Sequence, residues 1–288
     1  MNPQFPLYIV SKGRWESRLT SKALEEMGVP YYVVIEPQEF DQYAAVIDPK
    51  KLLILDPKFK EEYDVFNDFG VAGSTGSGPA RNFAWDHSVK NGFAWHWVMD
   101  DNIDGFYRLN RNLKVPVADG TIFRVMEDFC LRYENISMAG PNYHMFATRK
   151  SPRIPPFVTN TRIYSCNLIR NDVPFRWRCR YNEDTDLSLR MLKAGWCTVL
   201  FNAFLQYKTT TLKLKGGNTD TIYQMGTLPK SSQLYVAHPD VTRIVWKFGR
   251  WHHHVDYSKF KRLKLIQKEG VKVEQKINNY GMILKKIE

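Results

Sequence analysis

Short apolar runs alternate along the first half of the chain with segments of helical character. "LYIV" (7–10), "YYVVI" (31–35) and "KLLIL" (51–55) read as strands. "FAWHWVM" (93–99) is too continuously apolar to keep one face in water, which predicts a fully buried strand. Between them, "WESRLTSKALEEMG" (15–28) reads as a helix with Leu19, Leu24 and Met27 apolar and Gly28 placed to stop it. "GPARNFAWDHSVKNG" (78–92) opens on Gly78-Pro79 and closes at Gly92, a helix with its expected punctuation. Strands separated by helices predict an α/β fold with a mostly parallel sheet flanked by helices.

The second half is more mixed. "DGTIFRVMEDFCLRYEN" (119–135) predicts a helix, "ISMAGPNY" (136–143) a strand ending in a turn, and "TRIYSCNLIRN" (161–171) a further strand. "NEDTDLSLRMLKAGW" (182–196) reads as a helix with acids at its start and Gly195 at its end, followed by the buried strand "CTVLFNAF" (197–204). "KTTTLKLKGGNTD" (208–220) has little apolar content and is expected to form a mobile loop. No internal repeat or low-complexity linker interrupts the chain.

Composition narrows the class. The 288 residues suffice for one large α/β domain, or one domain with an appendage. No apolar stretch reaches the roughly 18 residues of a membrane span, and the N-terminus lacks the pattern of a signal peptide. The four cysteines lie far apart with no CxxC pair, so reduced, packed thiols in a cytoplasmic protein are expected rather than a zinc site or disulfides. A net charge of +11 favours polyanionic partners, and the excess gathers with aromatics in segment 243–288. A solvated basic face would read the same way.

The chemistry centres on Asp100-Asp101-Asn102, at the end of the "FAWHWVM" strand. Ligands of open α/β sheets gather at the carboxyl ends of strands. Two acids and an amide there suit a hard cation such as Mg²⁺ or Mn²⁺ shared with substrate phosphates. An Asp-rich turn is the plainer alternative.

Neighbouring segments add specificity. "GSGPARNFAWDHSVKNGFAWHWVMDDN" and "YNEDTDLSLRMLKAGW" in this order resemble the nucleotide-diphosphate-sugar glycosyltransferases of the GT-A fold. "YIVSKGRW", "PYYVVIEPQE", "WVMDDN", "NEDTDLSLR", "KGGNTD" and "KFGRWHHHVDY" together resemble the TET-associated glycosyltransferases of bacteriophages, over nearly the whole chain. The resemblance implies transfer of a sugar from a UDP-sugar to 5-hydroxymethylcytosine in DNA. It also implies a GT-A-like domain over 1–240, with a nucleotide-binding half (1–105) and an acceptor half (106–240). Segment 241–288 would be a basic extension packed on the same domain. No membrane or obligate protein partner is expected.

Within that frame Ser11, Lys12, Gly13 and Arg14 are expected near the nucleotide, and Arg81 at a phosphate or bracing the acidic loop. Asp100, Asp101 and Asn102 would hold the cation and ribose, with His252 or His253 as a late metal ligand. Glu183 and Asp184 start a helix, where the dipole favours ionised carboxylates. Asp184 is expected to be the general base of an inverting transfer, and helix capping is the alternative. Lys208 and Gly216-Gly217-Asn218 would fold over the diphosphate, and Trp177, Arg178 and Arg180 would meet the acceptor. A glycan, lipid or protein acceptor, a retaining mechanism, a non-catalytic nucleic-acid-binding module and a metal-dependent nuclease remain open alternatives.

Overall fold

The computed structural model describes residues 1–66, 74–148, 154–209 and 227–271. Four parallel strands form one half of the central sheet: β1 (Leu7–Val10), β2 (Tyr32–Ile35), β3 (Leu52–Ile54) and β4 (Trp95–Asp100), in the order β3-β2-β1-β4. The other half holds β5 (Ile103–Asn110), β6 (Leu113–Pro116), β7 (Ile136–Tyr143), β8 (Phe157–Thr159), β9 (Cys166–Arg170) and β10 (Cys197–Lys208). Its order is β9-β7-β10-β5-β6, with β8 also paired to β10. Among the described residues the ten strands make one sheet. β1, β2, β3, β4, β6, β7 and β10 run one way, whereas β5, β8 and β9 oppose them. This is the mostly parallel, helix-flanked α/β arrangement expected, of GT-A-like form.

The continuous apolar character of the central strands follows from burial on both faces. Leu7, Ile9, Val33, Ile35, Trp97 and Met99 join one core with Leu24 and Met27 and with Phe123 and Met126. These last pairs belong to α1 (Leu19–Glu26) with its cap and to α5 (Thr121–Cys130). The alternate residues Tyr8, Val10, Val34 and Val98 face a second core with Ala84, Trp85, Leu187 and Met191. Those residues come from α4 (Gly78–Lys90) and α6 (Glu183–Lys193). The short α2 (Phe40–Ala44) and α3 (Lys58–Glu61) complete the N-terminal half. All four cysteines are free and buried.

Differences from the sequence reading have local causes. α1 begins at Leu19 rather than near Trp15, because Arg18 takes a left-handed φ of 30° and the preceding turn directs Ser11 and Arg14 toward Asp101. Lys208 belongs to no loop; it is the last residue of β10. Among the described residues, segment 241–271 has regular structure of its own. It carries a hairpin, β11 (Thr242–Lys247) with β12 (Arg250–Val255), mounted beside α7 (Leu228–Ala237). No helix among the described residues is long and apolar enough to cross a membrane.

One glycine is dictated by the packing of β7 against β9. A Cβ on Gly140 would stand 2.2 Å from the Cys166 carbonyl oxygen and 2.7 Å from Ile163 Cγ2. Because the obstacle is backbone, Gly140→Ala is expected to cost about 1–3 kcal/mol. A lowered denaturant midpoint with unchanged slope would be the sign of it.

Candidate active site

β1, β2, β4, β7 and β10 deliver their carboxyl ends to one place. Ser11 follows β1, Glu36 follows β2, and Asp100 ends β4 with Asp101 and Asn102 next; Tyr143 ends β7 and Lys208 ends β10. All of them line a cleft of about 340 Å³. β9 runs against its neighbours, so it contributes its beginning: Ser165, just before the strand, also lines the cleft. The first residues of α4 and α6 close the remaining side with Ser77, Arg81, Glu183 and Asp184.

Arg81 ties these elements together. It is 1% exposed. Its Nη2 donates to Asp100 Oδ1 at 2.5 Å, its Nη1 to Asp184 Oδ1 at 3.2 Å, and its Nε to Ser77 Oγ at 3.2 Å. Ser77 in turn donates to Glu183 Oε1 at 2.9 Å. Burial would favour losing the guanidinium proton, but Asp184, Asp100 and Glu183 hold it charged and raise its pKa. Lys208 Nζ meets Asp100 Oδ2 at 2.5 Å and donates to Ser165 Oγ at 2.8 Å. Despite its burial it too is held charged, chiefly by Asp100 and Tyr143.

The two carboxylates bridged by Arg81 have been pushed apart in acidity. Burial alone would raise Asp100, but Lys208 and Arg81 bring it down to about 2, so it stays ionised. Burial pushes Asp184 up to about 7, with Glu183 and Asp100 adding to the rise against the pull of Arg81. Asp184 also accepts from Asn167 Nδ2 at 3.2 Å and from the Ser165 backbone N–H at 3.4 Å. Two acids separated in this way divide into a permanent charge and a group able to exchange protons near neutrality.

The residues after β1 reach the acidic turn. Asp101 accepts from Ser11 Oγ at 2.8 Å and from Arg14 Nη1 at 2.5 Å; burial nonetheless raises its pKa. Lys12 lines the cleft and lies 3.7 Å from Glu36, which also pairs with Lys60. Gly13 supplies the left-handed turn (φ 64°) between them. Ser11, Lys12, Arg14, Arg81, Asp100, Asp101, Asn102, Glu183, Asp184, Lys208 and His253 thus share one cleft. Gly216, Gly217 and Asn218 lie outside the described residues.

Other expected residues are occupied elsewhere. His252 does not line the cleft and accepts from Arg250 Nε at 3.3 Å. Trp177, expected at the acceptor, is 1% exposed, with the Arg81 guanidinium over its ring at 4.6 Å. Arg178 pairs with the fully buried Asp186 at 3.0 Å, which Arg190 also neutralises and which His238 Nε2 meets at 2.9 Å. Arg180 is itself buried at 6% exposure. Trp177 and Arg180 therefore pack inside the domain and Arg178 is engaged by Asp186, while Arg176 of the same stretch stays exposed.

Ser77, Tyr143, Tyr164, Ser165, Asn167 and Lys230 escaped the sequence reading. Tyr143 and Tyr164 stack at 6.0 Å and 22° in the cleft wall, and Tyr143 Oη lies 2.7 Å from Ser165 Oγ. Burial lowers the pKa of Lys230 from the usual lysine value.

Among the described residues no three His, Cys, Asp or Glu side chains converge as a metal cage. A divalent ion carried on a diphosphate does not require one, because one or two protein oxygens suffice beside phosphate and water. Asn102 Oδ1 is buried with no hydrogen-bond partner, next to Asp101 in the acidic turn. That oxygen chemistry fits Mg²⁺ or Mn²⁺.

No curated protein matches the chain. The model of the TET-Associated Glycosyltransferase family matches residues 5–217. This span takes in β1 to β10 and both carboxylates bridged by Arg81, and the chain belongs to the TET-associated glycosyltransferase family.

Proposed function

We propose that this glycosyltransferase moves a sugar from a UDP-sugar to the hydroxyl of 5-hydroxymethylcytosine in DNA, inverting the anomeric centre. The observation that carries the reading is the pair of Arg81-bridged carboxylates, one fixed as an anion and one raised to about 7, in a cleft walled by lysine and arginine. Asp184 takes the proton from the acceptor hydroxyl as its oxygen forms a bond to the anomeric carbon. The bond from that carbon to the diphosphate oxygen breaks, and its electron pair leaves with UDP. Arg14, Lys12, Lys208 and Lys230 line the cleft that receives this growing negative charge. Asp100 keeps Lys208 and Arg81 in place, so these cations need no reorganisation when the charge appears. Asp101 and Asn102 would hold a divalent ion, which supplies Lewis-acid compensation of the departing diphosphate.

Mass spectrometry of hydroxymethylated duplex DNA, incubated with a panel of UDP-sugars, tests the reading directly. One sugar should add to hydroxymethylated DNA and none to unmodified DNA. Chelating divalent ions is expected to slow transfer on the order of 100-fold, with Mn²⁺ or Mg²⁺ restoring it. A full rate in chelator would remove the ion from the reaction, and no product with any donor would remove DNA as acceptor.

A further inference from the structure

The hairpin β11–β12 lies beyond the residues matched by the family model, and its side chains sort sharply by face. Alternate residues of a two-stranded ladder share a face. On one face the cross-strand pairs are Thr242–Val255, Ile244–His253 and Trp246–Trp251. The first pair is anchored: Val255 packs on a cluster containing Leu189 and Leu192 of α6 and Leu234 of α7. His253, in the second, lines the active-site cleft. Two residues further along the strand, about 7 Å by strand geometry, the Trp246 and Trp251 rings meet edge to face at 5.0 Å and 74°. The cleft wall therefore continues outward as aromatic surface, 59% and 40% exposed at the two rings.

The tip is more unusual. Lys247 pairs with Arg250, so Phe248 and Gly249 form a two-residue loop with φ of 53° and 71°. Such loops favour Asn, Asp or Gly at both places. A phenylalanine with positive φ is a genuine outlier, and this one is also 91% exposed. The ring meets His252 edge to face at 6.1 Å and 85°, a single contact that leaves it almost wholly in water. Backbone strain and an exposed aromatic ring at one position are two costs with little packing gain, a combination that marks functional positions. The opposite face carries Arg243, Lys247 and Arg250, and residues 242–255 contain no acid.

We infer that this hairpin is the acceptor clamp, with Phe248 entering the base stack of duplex DNA where the modified nucleotide swings out toward the cleft. The inference rests on reading the acceptor as DNA. Trp246 and Trp251 stack on the displaced base or its neighbour, and Arg243, Lys247 and Arg250 engage the flanking phosphates. A wedge at the tip fills the gap left in the duplex, and an aromatic path then leads to the cleft at His253. The mount on α6 is also apt, because that helix starts with the proposed base.

Kinetics on hydroxymethylated DNA test the clamp. Phe248→Gly removes the ring and relieves the positive φ, so its melting temperature should hold or rise. The KM for duplex DNA should increase about 10-fold, within the range for losing one base–aromatic contact, while the KM for the UDP-sugar stays unchanged. The loss should be smaller on single strands, which have no gap to fill. Trp246→Ala combined with Trp251→Ala should raise the KM for both forms of DNA. Unchanged DNA KM in both variants, alongside a wild type that modifies DNA, would overturn the clamp and leave the transferase reading standing. An equal loss on single and double strands for Phe248→Gly would overturn the wedge. If the wild-type protein modifies no DNA, it is the choice of acceptor that fails.

Discussion

Asp184→Asn is expected to lower kcat by about 10²–10⁴-fold, the usual worth of a positioned proton acceptor. UDP-sugar affinity should change little, because the amide can still accept from Arg81 and Asn167, the partners that now hold the carboxylate. The pH profile supplies the second signature. With its pKa raised to about 7, Asp184 is mostly protonated at pH 5 and mostly ionised at pH 8. The wild-type rate should therefore climb between about pH 6 and 8 and then level off. Stability should move in the opposite direction. A carboxyl whose folded pKa is raised favours folding most at low pH, below its unfolded value, and loses that contribution as pH rises through about 7. The asparagine variant should lose less melting temperature over the same interval. If it retained both full kcat and the pH-dependent rise, Asp184 would not be the base.

Arg81→Met should have the largest effect on stability. The substitution leaves Asp100 and Asp184 without the cation that lies between them and removes the partner over the Trp177 ring. Breaking a buried ion pair by deleting one member costs about 3–5 kcal/mol. In a chain of this size the melting temperature should fall on the order of 10 °C. Arg81→Lys should recover little, since one ammonium cannot present the separate donors that reach Asp100, Asp184 and Ser77. Combining Arg81→Met with Asp184→Asn should recover part of the lost stability, because one stranded charge has gone. Simple additivity in that double variant would show that the two residues are not coupled.

The central sheet was legible because its strands are apolar on both faces and its helices carry their own stops: Gly28, Gly92 and Gly195 all take positive φ just after α1, α4 and α6. The two hairpins were not, for one shared reason. β5–β6 turns on Arg111-Asn112 and β11–β12 on Phe248-Gly249, each with both φ values positive. The first place in each loop holds a residue that does not advertise a turn. Asp100, Arg81 and Asp184 were visible as short motifs at element ends. Their mutual bridging was not, since it depends on strands distant in sequence ending together. Ser165 gave no signal at all, because its place follows from the reversed direction of β9. Trp177 and Arg178 misled for a different reason: aromatic and basic residues beside an acidic motif suggest a ligand surface, and here they pack and neutralise the interior.

The reversed strand β9 bears on how such enzymes can be rebuilt. It hydrogen-bonds to β4 on one side and β7 on the other, yet it lies some seventy residues beyond β4 in sequence. A chimera joined near residue 105, with its first part from one protein and the remainder from another, would bring in a foreign centre strand along with the new C-terminal part. The seam would then run through the middle of the sheet, where a mismatched Leu168 or Asn167 meets the recipient's Trp97 and Val98. Successful grafts should instead exchange peripheral pieces and leave 166–170 with the strand it was shaped against.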